Sequence, residues 1–159
     1  MLRFQPIFPV VAAVLSASAA MAQDSATLSV EQSADYGQYI VGPEGKPVYM
    51  FTTDTQGDGG EPAISCTLEP CLDAWPLVTT DGEVTVGPEL DESLAGTFSY
   101  EGQTVVTYNG WPLYTFARDG AGQPPQGQDV HSFGGEWYLL GPEGEQVEEA
   151  ESGKNGAAE

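Results

Sequence analysis

One six-residue pattern occurs twice and narrows the folds open to this chain. Tyr49-Met-Phe-Thr-Thr-Asp54 and Tyr114-Thr-Phe-Ala-Arg-Asp119 both read Tyr-x-Phe-x-x-Asp, with 49 matching 114 and 54 matching 119 at one constant offset. In each copy a proline (Pro47, Pro112) precedes an alternating apolar run, and a glycine-rich turn follows the aspartate. Successive side chains of a strand point to opposite faces, so Tyr49 and Phe51 share one face while Val48 and Met50 share the other. Bulky apolar groups on both faces predict a strand covered on both sides. A unit of two or three strands exposes too much apolar surface to stand alone, so two related halves are expected to pack on each other.

The rest of the chain extends this all-β expectation: two related β-rich repeats in one small domain, with one short helical turn at 67–75. Residues 23–34 read as a loose leader or an edge strand. Tyr36–Val41 and Pro47–Thr52 form a hairpin about the turn Gly42-Pro-Glu-Gly45. Thr67 is a candidate helix cap, Pro70 fits a first turn, and Pro76 forbids continuation. Glu83–Gly87 alternates like a short strand after the turn Asp81-Gly82, and 88–95 is acidic and linker-like. Residues 97–100 and 104–108 flank a hairpin turn. Asn109-Gly110, both tolerant of positive φ, then delivers the second motif strand at 112–116. The loop 119–130 has no periodicity, and Trp137–Leu140 is a last strand. Residues 145–159 are acidic, small and without a face to bury, hence expected to be disordered. The domain proper is therefore set at 35–144.

Residues 1–22 have the features of a cleaved signal peptide: Arg3, an apolar run from Ile7 to Ala20, and the small-x-small site Ala20-Met-Ala22. The apolar run is too broken to span a bilayer, and the absence of a Cys near the cut excludes a lipid-modified N-terminus. A soluble periplasmic or secreted protein is expected, with no membrane insertion after cleavage. The whole chain carries 4 basic and 24 acidic residues, a net charge of −20. Loss of Arg3 makes the mature protein still more acidic. Such a charge repels phosphate backbones and anionic lipid heads, so nucleic acid and acidic membranes are poor partners, and a cation or a basic partner is favoured. Cys66 and Cys71 fit an exported disulfide that pins a local turn, worth about 2 kcal/mol by loop entropy. The rival, a metal-binding thiolate pair, would need two further soft ligands, and only the distant His131 is at hand.

These residues also carry a family resemblance. Pro47-Val-Tyr-Met-Phe-Thr-Thr-Asp54, then Cys66 and Cys71, then Trp75-Pro-Leu77 resemble one repeat of a widespread exported bacterial family. Gly102 to Pro142, with Tyr108-Asn-Gly-Trp-Pro-Leu-Tyr-Thr-Phe-Ala-Arg-Asp119, Gly127-Gln128 and Trp137-Tyr138, resembles its companion. These are the secreted, often lipoprotein-like repeats of unknown function marked by a Tyr-x-(Phe/Trp/Tyr)-x-x-Asp motif. The resemblance covers roughly 38–142 and implies an exported two-repeat β domain, without an established activity. The chain departs from the pattern in lacking a lipobox Cys, in having Val105 where many relatives carry Gln, and in its longer, more acidic segment 81–101.

Candidate sites follow from the same residues. Asp54 and Asp119 end their strands at turns, where a carboxylate accepts backbone N–H bonds. The alternative is a calcium loop over 54–61. Asp54-x-Gln-x-Asp58-Gly59 supplies alternating oxygen ligands and a glycine, but Ser65 stands where the bidentate Glu would be. Tyr49, Phe51, Trp75, Trp111, Tyr114, Phe116, Trp137 and Tyr138 are either core or a glycan-stacking platform, and core filling is favoured. His131, the single histidine, lacks a placed catalytic partner. No nucleophile elbow, zinc-protease motif, P-loop or dinucleotide fingerprint occurs. The expectation is a non-enzymatic exported binding or structural module without a cofactor, and the alternative is a calcium-binding domain.

Overall fold

In the computed structural model, which describes residues 25–148, the motif strands lie at the centre of an all-β domain. The signal peptide and residues 149–159 of the expected tail lie outside the described residues. The strands are β1 (Ala26–Ser33), β2 (Gly37–Val41), β3 (Tyr49–Phe51), β4 (Val84–Val86), β5 (Ala95–Tyr100), β6 (Gln103–Tyr108), β7 (Trp111–Pro112), β8 (Val130–Ser132) and β9 (Gly135–Leu139). The one α-helix among the described residues, α1, spans Glu69–Ala74. Three small sheets run in the orders β2-β1-β4, β3-β9-β8 and β5-β6-β7.

The motif strands begin paired within their own halves, Pro47 with Val41 and Pro112 with Thr107, but their Tyr-x-Phe segments pair across the halves. Strand β3 of the first half runs antiparallel to β9 of the second, with Tyr49 opposite Leu139 and Phe51 opposite Trp137. In the second half Tyr114 bridges Leu77, and the Thr115 and Ala117 amides donate to the Pro76 and Ala74 carbonyls, each at 2.9 Å. Each Tyr-x-Phe segment therefore lies beside a Trp-x-Leu segment of the other half, Trp137-Tyr-Leu139 for the first motif and Trp75-Pro-Leu77 for the second. The two motif strands also join each other. The Tyr49 amide donates to the Tyr114 carbonyl at 2.8 Å and the Tyr114 amide to the Tyr49 carbonyl at 3.0 Å.

Two closed rings of backbone hydrogen bonds tie these strands to their hairpins. Ile40 donates to Leu140, Leu140 to Val48 and Val48 back to Ile40, at 2.8, 3.4 and 3.1 Å. In the other half Val106 donates to Val78, Val78 to Leu113 and Leu113 back to Val106, at 2.8, 2.8 and 3.1 Å. Leu140 comes from the second half and Val78 follows the first half's Trp-x-Leu segment, so each ring is again closed from across the domain. All six residues are buried, so the rings also satisfy polar groups that have no access to water.

Side-chain alternation then sorts the core in two, as the sequence predicts. Tyr49 and Phe51 enter one cluster with Tyr39, Trp75, Tyr114, Phe116 and Trp137. Val48 and Met50 enter the other with Leu28, Ile40, Val106, Tyr108 and Leu113.

Several details differ from the sequence reading. Residues 26–33 are no leader or edge strand: β1 is the middle strand of its sheet, paired with β2 and β4, and its Leu28 is fully buried. The polar alternation of that segment reflects one face on the core and one in water. The helix cap is Leu68, not Thr67, and no side chain caps it. Residues 130–132 form β8, hairpinned to β9 through Phe133 and Gly134 at φ 56° and 87°. A phenylalanine at positive φ gives no turn signal. The tail is ordered at its start: Gln146 bridges Leu140, and Val147 is buried with its amide on the Leu139 carbonyl at 2.8 Å.

The turns also cross between halves. Gly57, in the loop after Asp54, donates to the Gly110 carbonyl at 2.9 Å, and Gly122, after Asp119, donates to the Gly45 carbonyl at 3.2 Å. A Cβ at Gly110 would meet three Gly57 backbone atoms at 2.9 Å. Gly102 has a similar positive φ but nothing within 4 Å of its would-be Cβ. Gly102→Ala should therefore lower the unfolding free energy by only about 1 kcal/mol of left-handed strain. Gly110→Ala should lower it by at least about 2 kcal/mol more, because the steric clash adds to the same strain. Urea-unfolding midpoints of the two variants measure the difference.

Candidate functional site

The motif's polar ends meet at the centre of the domain, and they are exchanged between the halves. Tyr114, from the second half, donates its hydroxyl to Asp54 Oδ2 at 2.7 Å, and Tyr49, from the first, donates to Asp119 Oδ2. Both carboxylates are buried, with 7% and 6% exposure. Their remaining oxygens are held by the loops that follow. Asp54 Oδ1 accepts from the Ser65 amide and hydroxyl, both at 2.8 Å, and Asp119 Oδ1 accepts from the Gln126 amide at 2.8 Å. The Tyr49 hydroxyl also accepts the Gly127 amide at 3.1 Å. A Cβ on Gly127 would come within 2.7 Å of the Tyr49 ring, so only glycine lets the backbone approach that closely.

Above these pairs lies a column of four stacked rings. Phe51 stacks on Trp137 at 4.0 Å, Trp137 on Trp75 at 4.0 Å, and Trp75 on Phe116 at 4.2 Å between centroids. Tyr49 packs edge-on against Trp75 at 5.3 Å and Tyr114 edge-on against Trp137 at 5.0 Å. The column alternates residues of the two halves, and each tyrosine's edge contact continues into its hydrogen bond with an aspartate. The Trp137 indole N–H finds no acceptor among the described residues, so packing alone holds that ring. The Cys66–Cys71 disulfide sits at the margin of this cluster, with both residues buried. It ties the residue after Ser65 to α1 and so fixes the loop that caps Asp54.

Burial governs the electrostatics. Desolvation raises the Asp54 carboxyl above its ordinary range, opposed by the hydrogen bonds from Ser65 and Tyr114. Asp119 is raised for the same reason, opposed by Tyr49 and Gln126. Burial also drives the Tyr49 and Tyr114 phenols far upward, and the facing carboxylates add to it.

The other candidate residues lie elsewhere. Asp58 is exposed in the loop after Asp54. His131 is exposed on β8, its ring nitrogens 3.4 Å from Asp129 and 3.3 Å from Glu136, while Tyr138 donates to Glu136 at 3.0 Å. His131, Ser132, Glu136 and Thr53 line an open depression of about 510 Å³ at the surface. Lys46 lies 3.7 Å from Glu44, and the Arg118 guanidinium lies 5.9 Å from the Phe116 ring centre. Exposed contacts of this kind contribute little to stability. Sequence reasoning does not identify Ser65 or Gln126 as caps of the motif aspartates. Ser and Gln are common loop residues, and their role depends on where the loop returns.

Residues 99–140 match a family described as a secreted repeat of unknown function. That range covers the second motif and its Trp-x-Leu segment, which makes it one of the two interlocked halves. No curated protein and no solved structure gives a match to the chain.

The exchanged pairs set a pH dependence. The tyrosine values are raised above 10.0, so their contribution to stability is full below pH 10 and is lost as the pH rises above it. The aspartate values are raised above 3.8, so theirs is full below that pH and is lost as the pH rises through the raised values. Both effects weaken the fold with increasing pH. Above pH 10, each of Tyr49→Phe and Tyr114→Phe should remove up to about 1.4 kcal/mol per pH unit from the slope of stability against pH. At neutral pH each should lower stability by about 1–3 kcal/mol, since a buried carboxylate loses a donor. Denaturant unfolding followed across pH 7 to 11 reads both.

Proposed function

We propose that this chain is an exported, non-enzymatic module, binding or structural in role, whose Tyr-x-Phe-x-x-Asp motif builds the fold and carries no reaction. The observation that supports this is the mutual engagement of the motif's polar groups. Both carboxylates and both phenols are buried and hydrogen-bonded to each other and to neighbouring loops. A general acid, base or nucleophile has to reach a substrate, and these groups face the interior of the domain. Export is supported by the description of the matching family as secreted. Among the described residues no helix is long and apolar enough to cross a membrane. The acidic surface favours a cation or a basic partner over nucleic acid.

A calcium loop over 54–61 is the competing proposal. Asp58 is exposed and able to face a cation. Asp54 would first have to give up the bonds it receives from Ser65 and Tyr114, and calcium needs six or more oxygen ligands. Thermal melts of the wild type and of Asp54→Asn distinguish the two. A structural Asp54 predicts equal melting shifts in calcium chloride and in a non-binding salt of the same ionic strength, with Asp54→Asn melting several degrees lower in both. A calcium-specific rise in the wild type that vanishes in Asp54→Asn would overturn the structural role.

A further inference from the structure

The matched halves serve as an internal control, because the core positions agree between them while one pair of clefts does not. The turns Glu44-Gly45 and Asn109-Gly110 have the same left-handed backbone, with φ of 64° and 70° against 50° and 77°. Beside the first turn, Lys46, Leu77 and Thr115 line a small cleft of about 170 Å³. Beside the second, Met50, Gln56, Asn109, Trp111, Glu145 and Glu148 line a cleft of about 550 Å³. At the motif offset Trp111 corresponds to Lys46 and Met50 to Thr115. A cation in one half is thus replaced by an indole in the other, and a hydroxyl by a thioether. Met50 is 3% exposed and forms an apolar floor. Trp111 is half-buried, Glu145 and Glu148 are exposed at the rim, and the Asn109 side-chain amide is fixed on the Gly144 carbonyl at 3.0 Å.

We propose that this cleft binds a small organic cation carrying a methylated ammonium group. An indole face attracts a poorly hydrated cation more strongly than any other side-chain ring does. The thioether accommodates the methyl groups, and the two rim carboxylates lie where a positive charge would be held. The net charge of −20 concentrates cations near the surface, and the indole and thioether select those with an apolar shell. The twin cleft, with Lys46 in the tryptophan's place, repels the same ligand. The site extends the binding side of the proposed module and leaves the structural role of the motif independent, since that role is read from unfolding midpoints.

The probe is choline, titrated at constant ionic strength into the full-length mature protein, with the Met50 methyl and Asn109 side-chain amide resonances as readout. Dimethylbutanol, its uncharged carbon isostere, and glucose are titrated in parallel. Saturable choline shifts are expected at these resonances, with the isostere at least about tenfold weaker. Trp111→Lys installs the residue that the twin position already accommodates, and should weaken choline binding at least about tenfold. If that variant fails to fold, the paired change Glu145→Gln and Glu148→Gln provides the same comparison. It should weaken choline and leave the isostere unchanged. Equal binding of the isostere, shifts with glucose in place of choline, no saturable shift at all, or choline binding unaltered in the folded variants would each overturn the proposal.

Discussion

Everything in this domain depends on a partner exchange at its centre: the tyrosine of each motif hydrogen-bonds the aspartate of the other. Burying a carboxylate is costly unless donors surround it. Here the donors come from two directions, the opposite half's phenol and the protein's own following loop. Neither half can supply both. A single half would therefore leave a buried charge short of a partner and a strand without its neighbour, a stronger reason for two repeats than apolar area alone.

The exchange recurs at each level of the structure. Backbone pairing sets each Tyr-x-Phe segment beside the other half's Trp-x-Leu segment. The stacked column alternates rings from the two halves. Each post-aspartate loop donates to a turn glycine of the other half. The surface clefts escape this constraint, and there the halves have diverged from lysine to tryptophan. Where the fold demands the same residue twice, the motif repeats. Where it does not, chemistry is free to differ, and that is where a ligand is most reasonably sought.

Much of the fold is legible in the sequence because its signals are local. Alternation of Val48, Tyr49, Met50 and Phe51 announces a strand with two buried faces, and both cores are present. Asn109-Gly110 announces a tight turn, and Pro76 ends the helix as its chemistry requires. The partner exchange is not legible, since Tyr49 has the same alternation whether its hydroxyl meets Asp54 or Asp119. Strand β1 reads as a leader because its serine, threonine and glutamate outnumber its apolar residues, although Leu28 is fully buried. The β8–β9 turn is hidden by Phe133, a residue seldom placed at positive φ. Ser65 stands out in the sequence only for what it cannot do as a calcium ligand, and its place in the fold is as a donor to Asp54.

Interlocked halves must open together. Native-state hydrogen exchange at the amides of the two backbone rings tests this most directly, comparing Ile40, Val48 and Leu140 with Val78, Val106 and Leu113. Mutual completion predicts that all six exchange with one opening free energy and one denaturant dependence, equal to those of global unfolding. If one ring opened at lower free energy and smaller denaturant dependence while the other stayed protected, the halves would be separately stable and mutual completion would be contradicted.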